Sequence, residues 1–368
     1  MEVSRLLFLL LCTAALYGEP ASKEPDTLTF TNGEKLIGHL VKSSGSSVTF
    51  KSDNAGIVTV DWSKIQELHS ADRFAVIKKG TEIHRSAAAA QIPVGSVSMS
   101  HQKIEVTPSA GAPQTVTTAE TGFLVPAPAF EKAIGEGPGF FQDWHGGVTG
   151  GLSLVEATQT SQTYTAALAM TRTEPSEDWL EKRNRTIFEF NVAYGKVTQP
   201  GSADVKTEIF HFDVERDEYF SKKVFFFGQA TFDHNYSQGL TLQQLYGGGI
   251  GYTIFQTSKQ QLDVRVAANY INQEFSGASN KSLVGITFGD TYTRKLAHGI
   301  ALSQGLLLIP TINNTNDYSA SFNAGLLLPT YKRLGTSVNL LDTFLNDPPS
   351  GFKKNSFQLS VGLTYVVR

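Results

Sequence analysis

Hydrophobic and polar residues alternate along the second half of the chain, in twelve segments of about ten to thirteen residues each. The last segment is the clearest, because apolar residues from Phe357 to Val367 occupy every second position. A period of two places alternate side chains on opposite faces of a strand. The pattern therefore predicts twelve strands, which begin near His145, Gln162, Asn184, Lys206, Lys222, Gln244, Gln260, Lys281, His298, Asp317, Arg333 and Asn355.

The connections between these segments favour a membrane barrel over a soluble sandwich. Connections on one side are short, such as TSKQ and PTYK, apart from a long TEPSEDWLEKR connection, and those on the other side are longer, such as FSGASN and NDPPSGFKK. Aromatic residues lie near both ends of the segments, with Trp144, Tyr219 and Tyr331 at one end and Tyr194 and Tyr270 at the other. These features are typical of outer-membrane barrels. The predicted fold is all-β, with an antiparallel transmembrane β-barrel of about 12 strands over residues 144–368. A periplasmic β-sandwich is the alternative, because it gives the same alternation.

Residues 26–106 have a second pattern of short alternating segments, separated by turn residues such as Asn32-Gly33 and followed by a helical WSKI segment. Several short strands at this spacing predict a small SH3-like or Sm-like β domain. Residues 107–143 are rich in Pro, Ala, Thr and Gly and are interpreted as a linker.

The N-terminus has the pattern of a secretory signal peptide over residues 1–18. Arg5 precedes an apolar stretch from Leu6 to Leu16, which is too short to span a bilayer, and small or polar residues follow it. Cys12 is the one cysteine of the chain, and the large Leu11 before it argues against lipidation. Cleavage after Gly18 therefore leaves a mature chain without disulfides, thiol nucleophiles or cysteine-bound metals.

Composition limits the remaining possibilities. Of the 368 residues, 18% are charged, and 31 Lys and Arg against 34 Asp and Glu give a formal net charge of −3. We expect no nucleic-acid partner, because such a partner needs a clustered basic face. A mean hydropathy of −0.14 and the lack of apolar runs of about 20 residues exclude an ordinary helical membrane protein. Alternating strands average to a similar hydropathy, so a membrane barrel remains compatible.

With the apolar faces turned toward lipid, polar residues of the predicted barrel face its lumen. The lumen-facing candidates are Glu189, His211, Asp213, Glu215, Asp233, Asp263 and Arg265. Carboxylates outnumber the single Arg in this set, which predicts a mild cation preference if the lumen conducts. Solvated lumen polarity without conduction is the alternative.

The sequence offers little evidence for catalysis. His211 and His234 lack a second Asp/His set at a matching strand end, and the sequence contains no G-x-S-x-G motif. The spacing His211-x-Asp213-x-Glu215 is that of any polar strand face and predicts no metal site. We therefore expect no enzyme activity, no catalytic residues, no metal and no cofactor.

The final strand contains Ser360-x-Gly362-x-x-Tyr365-x-Val367, which resembles the signal by which outer-membrane barrels are recognised for assembly. Three segments also resemble domain-of-unknown-function family 481, the salt-induced outer-membrane proteins of Gram-negative bacteria: DWHGGVTGGLSLVEATQTSQTYTAALAMTRTE, QLYGGGIGYTIFQTSKQQLDVRVAANYINQEF and FQLSVGLTYVV. The resemblance covers residues 144–368, and the N-terminal unit resembles the module often attached to these barrels. Members tend to carry Gly-Asn in the first hairpin, where this chain has TQTSQT. The resemblance implies an architecture and a location, and no activity.

Together these features predict an outer-membrane barrel with a periplasmic N-terminal module. Its barrel is interpreted as a narrow pore for ions or small solutes. The alternative is a structural or envelope-stress protein that anchors the module without transport. The expected partners are outer-membrane lipids, the barrel assembly machinery, and a cell-wall or periplasmic partner for the module.

Overall fold

The computed structural model describes residues 25–83, 89–135, 139–156, 160–198 and 205–367. The chain divides into two compact units, residues 1–134 and 135–368. The expected signal peptide, with Cys12, lies outside the described residues. Within the described ranges, no helix combines the length and the apolar character needed to cross a membrane.

The first unit is built from short antiparallel strands. Its strands are β1 (Asp26–Phe30), β2 (Lys35–Ser44), β3 (Ser47–Ser52), β4 (Gly56–Asp61), β5 (Ile65–Lys78), β6 (Val94–Ser100), β7 (Lys103–Thr107), β8 (Gln114–Thr117) and β9 (Thr121–Pro126). They pair in the order β4-β3-β2-β1-β5-β6-β7-β8, and β9 pairs with both β2 and β5. The strands β1, β2, β9 and β5 therefore form a small closed barrel.

Alternation along these strands gives the unit its own hydrophobic core. Leu28, Phe50, Phe74 and Ile104 are almost completely buried and belong to one cluster. A 3₁₀ turn at Trp62–Lys64 follows β4, and the Asp61 side chain accepts a hydrogen bond from the Ser63 amide there. That bond holds the pKa of Asp61 below its ordinary value.

The structure corrects the prediction that residues 107–143 form a linker. Strands β8 and β9 and the helix α1 (Ala127–Gly135) lie within this range, and the first unit extends to Ile134. Leu124 is completely buried in the core, and its amide donates a hydrogen bond to the Ser43 hydroxyl. The Pro- and Thr-rich composition concealed these strands because they are only four and six residues long.

The second unit is a closed antiparallel barrel of twelve strands, as predicted. Its strands are β10 (Trp144–Glu156), β11 (Thr160–Glu174), β12 (Asn184–Thr198), β13 (Val205–Tyr219), β14 (Val224–Asn235), β15 (Leu240–Gln256), β16 (Gln260–Phe275), β17 (Lys281–Lys295), β18 (Ala301–Ile309), β19 (Ser319–Tyr331), β20 (Leu334–Leu345) and β21 (Asn355–Val367). Each strand pairs with the next, and β21 pairs with β10. The largest difference from the prediction is at β15, which begins four residues before Gln244, because a register shift between Leu240 and Leu242 interrupts the alternation.

The two faces of the barrel wall differ sharply. In β21, Leu363 is 68% exposed, whereas the next residue, Thr364, is 5% exposed. The same contrast recurs around the barrel, where Val148, Phe226 and Phe288 are exposed on the outer face. A closed barrel has no unpaired edge, and an apolar outer face is what a bilayer requires. The second unit therefore has the construction of an outer-membrane-type barrel.

The lengths of the connections distinguish the two ends of the barrel only in part. At the end that carries residues 144 and 367, here called the turn end, the connections 220–223, 257–259, 296–300 and 332–333 have two to five residues. Only 175–183 is longer there, with nine residues. At the opposite end, here called the loop end, the connections 310–318 and 346–354 have nine residues each, whereas 236–239 and 276–280 have only four and five.

Candidate functional site

The barrel lumen collects the polar residues that the sequence assigned to it. Strand pairing aligns Glu189 with Asp213, His211 with Asp233, and Arg265 with Gly251 on the face opposite the exposed apolar residues. All seven predicted lumen residues lie on this face of β12, β13, β14 and β16. The structure arranges them in layers along the barrel axis.

Arg185 of β12 is the centre of the layer nearest the turn end. Its Nε donates to Asp217 Oδ2 at 2.5 Å, and its Nη1 donates to Asp263 Oδ2 at 2.8 Å. Asp263 also accepts bonds from the Thr253 hydroxyl and the Gln261 amide, both at 2.8 Å. The Asp217 and Asp263 side chains are 0% and 2% exposed. This buried ion triad joins strands that lie far apart around the barrel, so it crosses part of the bore.

Arg265 of β16 forms a second bridge one layer closer to the loop end. Its Nη1 contacts Glu215 Oε2 of β13, and its Nη2 donates to the Thr291 hydroxyl at 2.9 Å. Both charged side chains are less than one-tenth exposed. The bridge therefore also crosses the lumen, in a buried environment where an unpaired charge would be costly.

Aromatic rings fill the space beside these two arginines. Phe225 and Phe227 of β14 face the lumen and are buried with Ala267. The Arg185 guanidinium lies 5.3 Å from the Phe225 ring centre, and the Arg265 guanidinium lies 5.6 Å from that of Phe227. These are cation–π distances. Charge pairs and aromatic rings thus pack one side of the lumen at the turn end.

A more open polar layer lies toward the loop end. His211 Nδ1 lies 2.6 Å from Asp233 Oδ1, and Gln243 donates to the other Asp233 oxygen at 2.9 Å. Gln273 in turn donates to Gln243 at 2.7 Å. The His211 and Asp233 side chains are about a quarter exposed, at 28% and 25%.

Two carboxylates lie between this layer and the arginine bridges. Asp213 accepts a bond of 2.6 Å from the Thr231 hydroxyl, and Glu189 stands opposite Asp213 in the β12–β13 ladder. Both side chains are half-buried. They therefore extend the acidic character of this wall toward the loop end.

The opposite wall carries a mixture of small, hydroxyl and apolar residues. Its lumen face includes Gly305, Gly325, Ser337 and Thr364, and the same parity places Leu307, Leu327 and Leu341 on it. On the same face, Ser303 of β18 and Asn323 of β19 are exposed although they point into the barrel. The lumen is therefore asymmetric, with a packed charged wall and an opposite wall that retains accessible polar surface.

The long connection at the turn end contributes to the mouth of the barrel. Within 175–183, Trp179 is buried, and Glu181 contacts Lys222 of a neighbouring connection at 3.0 Å. Burial lowers the pKa of Lys182, and the nearby positive charge of Arg185 lowers it further. This nine-residue connection, which is longer than the others at the turn end, therefore lies against the arginine layer of the lumen.

Sequence reasoning missed several lumen residues. Arg185 lies on the same face of β12 as Glu189, and Asp217 lies on the same face of β13 as Glu215. Their positions in the alternating pattern could therefore have identified them as lumen residues. Phe225 and Phe227 were hidden in a run of three phenylalanines, which does not show alternation. Tyr219 was placed in the aromatic girdle, but it faces the lumen and packs on Phe225 at a ring distance of 4.9 Å.

The residues of the proposed assembly signal lie at the seam that closes the barrel. Gly362 and Ser360 face the lumen side of β21, and Tyr365 and Val367 face outward. A Cβ at Gly362 would meet the Gly150 carbonyl oxygen at 2.8 Å. Close packing between β21 and β10 is therefore one physical reason for glycine at this position.

Several solved barrels are similar to this chain. An outer-membrane channel from Pseudomonas putida F1, described as COG4313, is 13% identical with a TM-score of 0.37, and the match covers 61% of this chain and 95% of that one. The translocator domain of the autotransporter NalP from Neisseria meningitidis is 9% identical with a TM-score of 0.32, over 60% of this chain and 86% of that one. The β-domain of the Bordetella autotransporter BrkA is 10% identical with a TM-score of 0.30, over 61% and 98%. None of the curated proteins matches the sequence significantly.

A family model matches nearly the entire barrel. The matched residues run from 148 to 367, which is more than half of the chain and includes the lumen residues and the closing strand. The expected resemblance is thereby confirmed. The chain belongs to the family described as protein of unknown function, DUF481.

Proposed function

We propose that this protein is a Gram-negative outer-membrane barrel whose lumen is a narrow pore for ions or small solutes. The observation that carries the proposal is the asymmetry of the lumen. Charged and aromatic side chains occupy one wall, whereas Ser303 and Asn323 remain exposed on the other. Accessible polar side chains inside the barrel are what small-solute conduction requires.

The number of strands in the barrel is consistent with a narrow pore. Side chains fill barrels of eight strands, and barrels of about sixteen strands hold open channels. A twelve-stranded barrel lies between these limits, and the bridges from Arg185 and Arg265 narrow it further. We therefore assign a small conductance rather than that of a general porin.

The charge of the packed wall supports a mild cation preference. In β12 to β16 the described lumen-facing charges comprise six carboxylates and two guanidinium groups, at Glu189, Asp213, Glu215, Asp217, Asp233, Asp263, Arg185 and Arg265. The sequence-based expectation counted five carboxylates against one Arg. The addition of Asp217 and Arg185 leaves the excess of carboxylates unchanged. Such an excess raises the local concentration of cations.

Reversal potentials in a planar bilayer with a KCl gradient test this preference. The variant carries Glu189→Gln and Asp213→Asn, because these half-buried carboxylates make no salt bridge to an arginine within the part of the chain that the structure describes. We expect the wild type to favour potassium over chloride and the variant to lose most of this preference. A matched control is Glu218→Gln, an exposed carboxylate at the outer turn-end rim. Anion preference in the wild type, or an unchanged preference in the variant, would contradict the proposal.

One observation favours a second candidate function, in which the barrel anchors the N-terminal unit without transport. That unit has its own core and its own small closed barrel, and it extends to Ile134. As a periplasmic module it could hold the cell wall or a periplasmic protein. Deletion of residues 26–134 separates the two functions, because a pore keeps its conductance and an anchor loses its role. We assign no enzymatic activity to either function.

A further inference from the structure

The first unit brings together three metal-ligating side chains from three different strands. They are Asp26 at the start of β1, His39 in β2 and Asp72 in β5. One ligand atom from each side chain lies within 4.8 Å of the ligand atoms of the other two. Within the described residues, no other group of three such side chains converges in this way.

We propose that Asp26, His39 and Asp72 bind one divalent transition-metal cation, Zn²⁺ in the first instance. Two carboxylates and one imidazole are a donor set for such a cation. Ligands bound tetrahedrally at about 2.0–2.2 Å lie about 3.4 Å from one another. Small side-chain rotations therefore bring the three atoms onto one ion. Calcium fits this donor set poorly, because it takes oxygen ligands and one of the three donors is an imidazole nitrogen.

Asp26 is the fixed point of this site. Asp26 is only 2% exposed, and its Oδ2 accepts a hydrogen bond of 2.6 Å from the Leu40 amide. This bond orients the carboxylate, as bonds to metal ligands commonly do. A bound cation would supply the countercharge that a buried carboxylate requires.

Ser70 gives an independent indication of a ligand. Ser70 is completely buried, and its hydroxyl has no hydrogen-bond partner among the described residues. In the antiparallel ladder Thr27 stands opposite His69, so Ser70 comes next to Asp26 and on the same face. An unpartnered buried hydroxyl is costly. A cation or its bound water at this position would satisfy it.

The other two ligands are accessible from solvent. His39 is exposed, and Asp72 is half-buried. The pairing of β5 with β6 shifts between Ser70 and Arg73, and this bulge directs Asp72 differently from a regular strand residue. The site therefore has one rigid buried ligand and an open side through which a cation can enter.

Calorimetric titration of the tag-free, chelator-treated full chain in detergent with ZnCl₂ tests the proposal. We expect one Zn²⁺ per chain, and we expect His39→Gln and Asp72→Asn each to weaken binding at least about tenfold. His69→Gln is the matched control, because this exposed histidine lies outside the group. Asp26→Asn is avoided, since Asp26 also holds the Leu40 amide.

Thermal unfolding without metal shows that each variant is folded before it is titrated. Absence of zinc binding in the wild type would overturn the proposal, as would equal binding by the wild type and both folded ligand variants. Loss of binding in His69→Gln alone would also overturn it, because the zinc would then bind elsewhere. None of these outcomes bears on conduction by the barrel, so the metal site and the pore are tested separately.

Discussion

Arg185 and Asp263 form a hydrogen-bonded ion pair of 2.8 Å between β12 and β16, strands that are separated by three others in the barrel wall. The pair therefore crosses the lumen and does not run along its surface. Asp217 completes the triad from β13. This relationship packs one side of the lumen at the turn end with buried, paired charges.

Replacement of Arg185 by Met is expected to destabilise the barrel strongly. It leaves the carboxylates of Asp217 and Asp263 buried without their cation, which costs about 3–5 kcal/mol in comparable buried pairs. Urea unfolding of the protein in detergent micelles measures the change. The matched control is Arg216→Met, because Arg216 pairs with Glu218 at an exposed rim, where loss of the pair costs at most about 1 kcal/mol. Equal effects of the two replacements would show that the triad carries no special stability.

Replacement of Lys182 by Met is expected to stabilise the barrel at neutral pH. The pKa of Lys182 is lowered in the folded protein by burial and by Arg185, so the unfolded chain binds the proton more tightly. Between the folded pKa and the ordinary lysine value, stability of the wild type therefore rises with pH. Lys182→Met should flatten this rise, which unfolding at several pH values measures. A variant that is less stable than the wild type at pH 7 would contradict the assignment.

Gly251 is expected to tolerate no larger side chain, because the Phe225 ring lies directly over it. A Cβ at Gly251 would meet the ring at 2.1 Å, and the ring is held between Tyr219 and Arg185. Gly251→Ala should destabilise the barrel by about 1–3 kcal/mol through overpacking. Gly228→Ala is the matched control, because open space surrounds that position. The same unfolding measurement compares them, and equal stabilities would refute the close contact.

Variants at two positions of the final strand distinguish a role in cellular assembly from a role in packing where β21 meets β10. Tyr365 is exposed on the outer face, whereas Gly362 packs against Gly150. We expect Tyr365→Ala to reduce assembled barrel in cells but to leave refolding from urea into detergent almost unchanged. Gly362→Val should reduce both, because its side chain obstructs the seam. Heat-modifiable gel migration measures assembly in both settings. A Tyr365→Ala variant that assembles normally in cells would contradict the signal.

The sequence was sufficient to predict the barrel, because hydrophobic and polar residues alternate with a period of two. The strands from Trp144 to Val367 show this period with few breaks. The same parity located Glu215 and Arg265 on the lumen face. Their pairing could not be predicted, because the contact joins β13 and β16 across the bore and depends on the barrel's width. The metal-ligating group in the first unit was also hidden, since Asp26, His39 and Asp72 lie far apart in sequence and meet only when β1, β2 and β5 pair.

Single-channel conductance of two neighbouring variants tests the pore most directly. Asn323 is exposed on the lumen face of β19, and Ala324 faces outward from the next position. A tryptophan at position 323 should obstruct the lumen beside β19, whereas one at position 324 should enter lipid. We predict small discrete conductance steps in the wild type and in Ala324→Trp, and a severalfold loss in Asn323→Trp. Absence of steps in the folded wild type, or equal conductance in all three proteins, would contradict a path beside this strand.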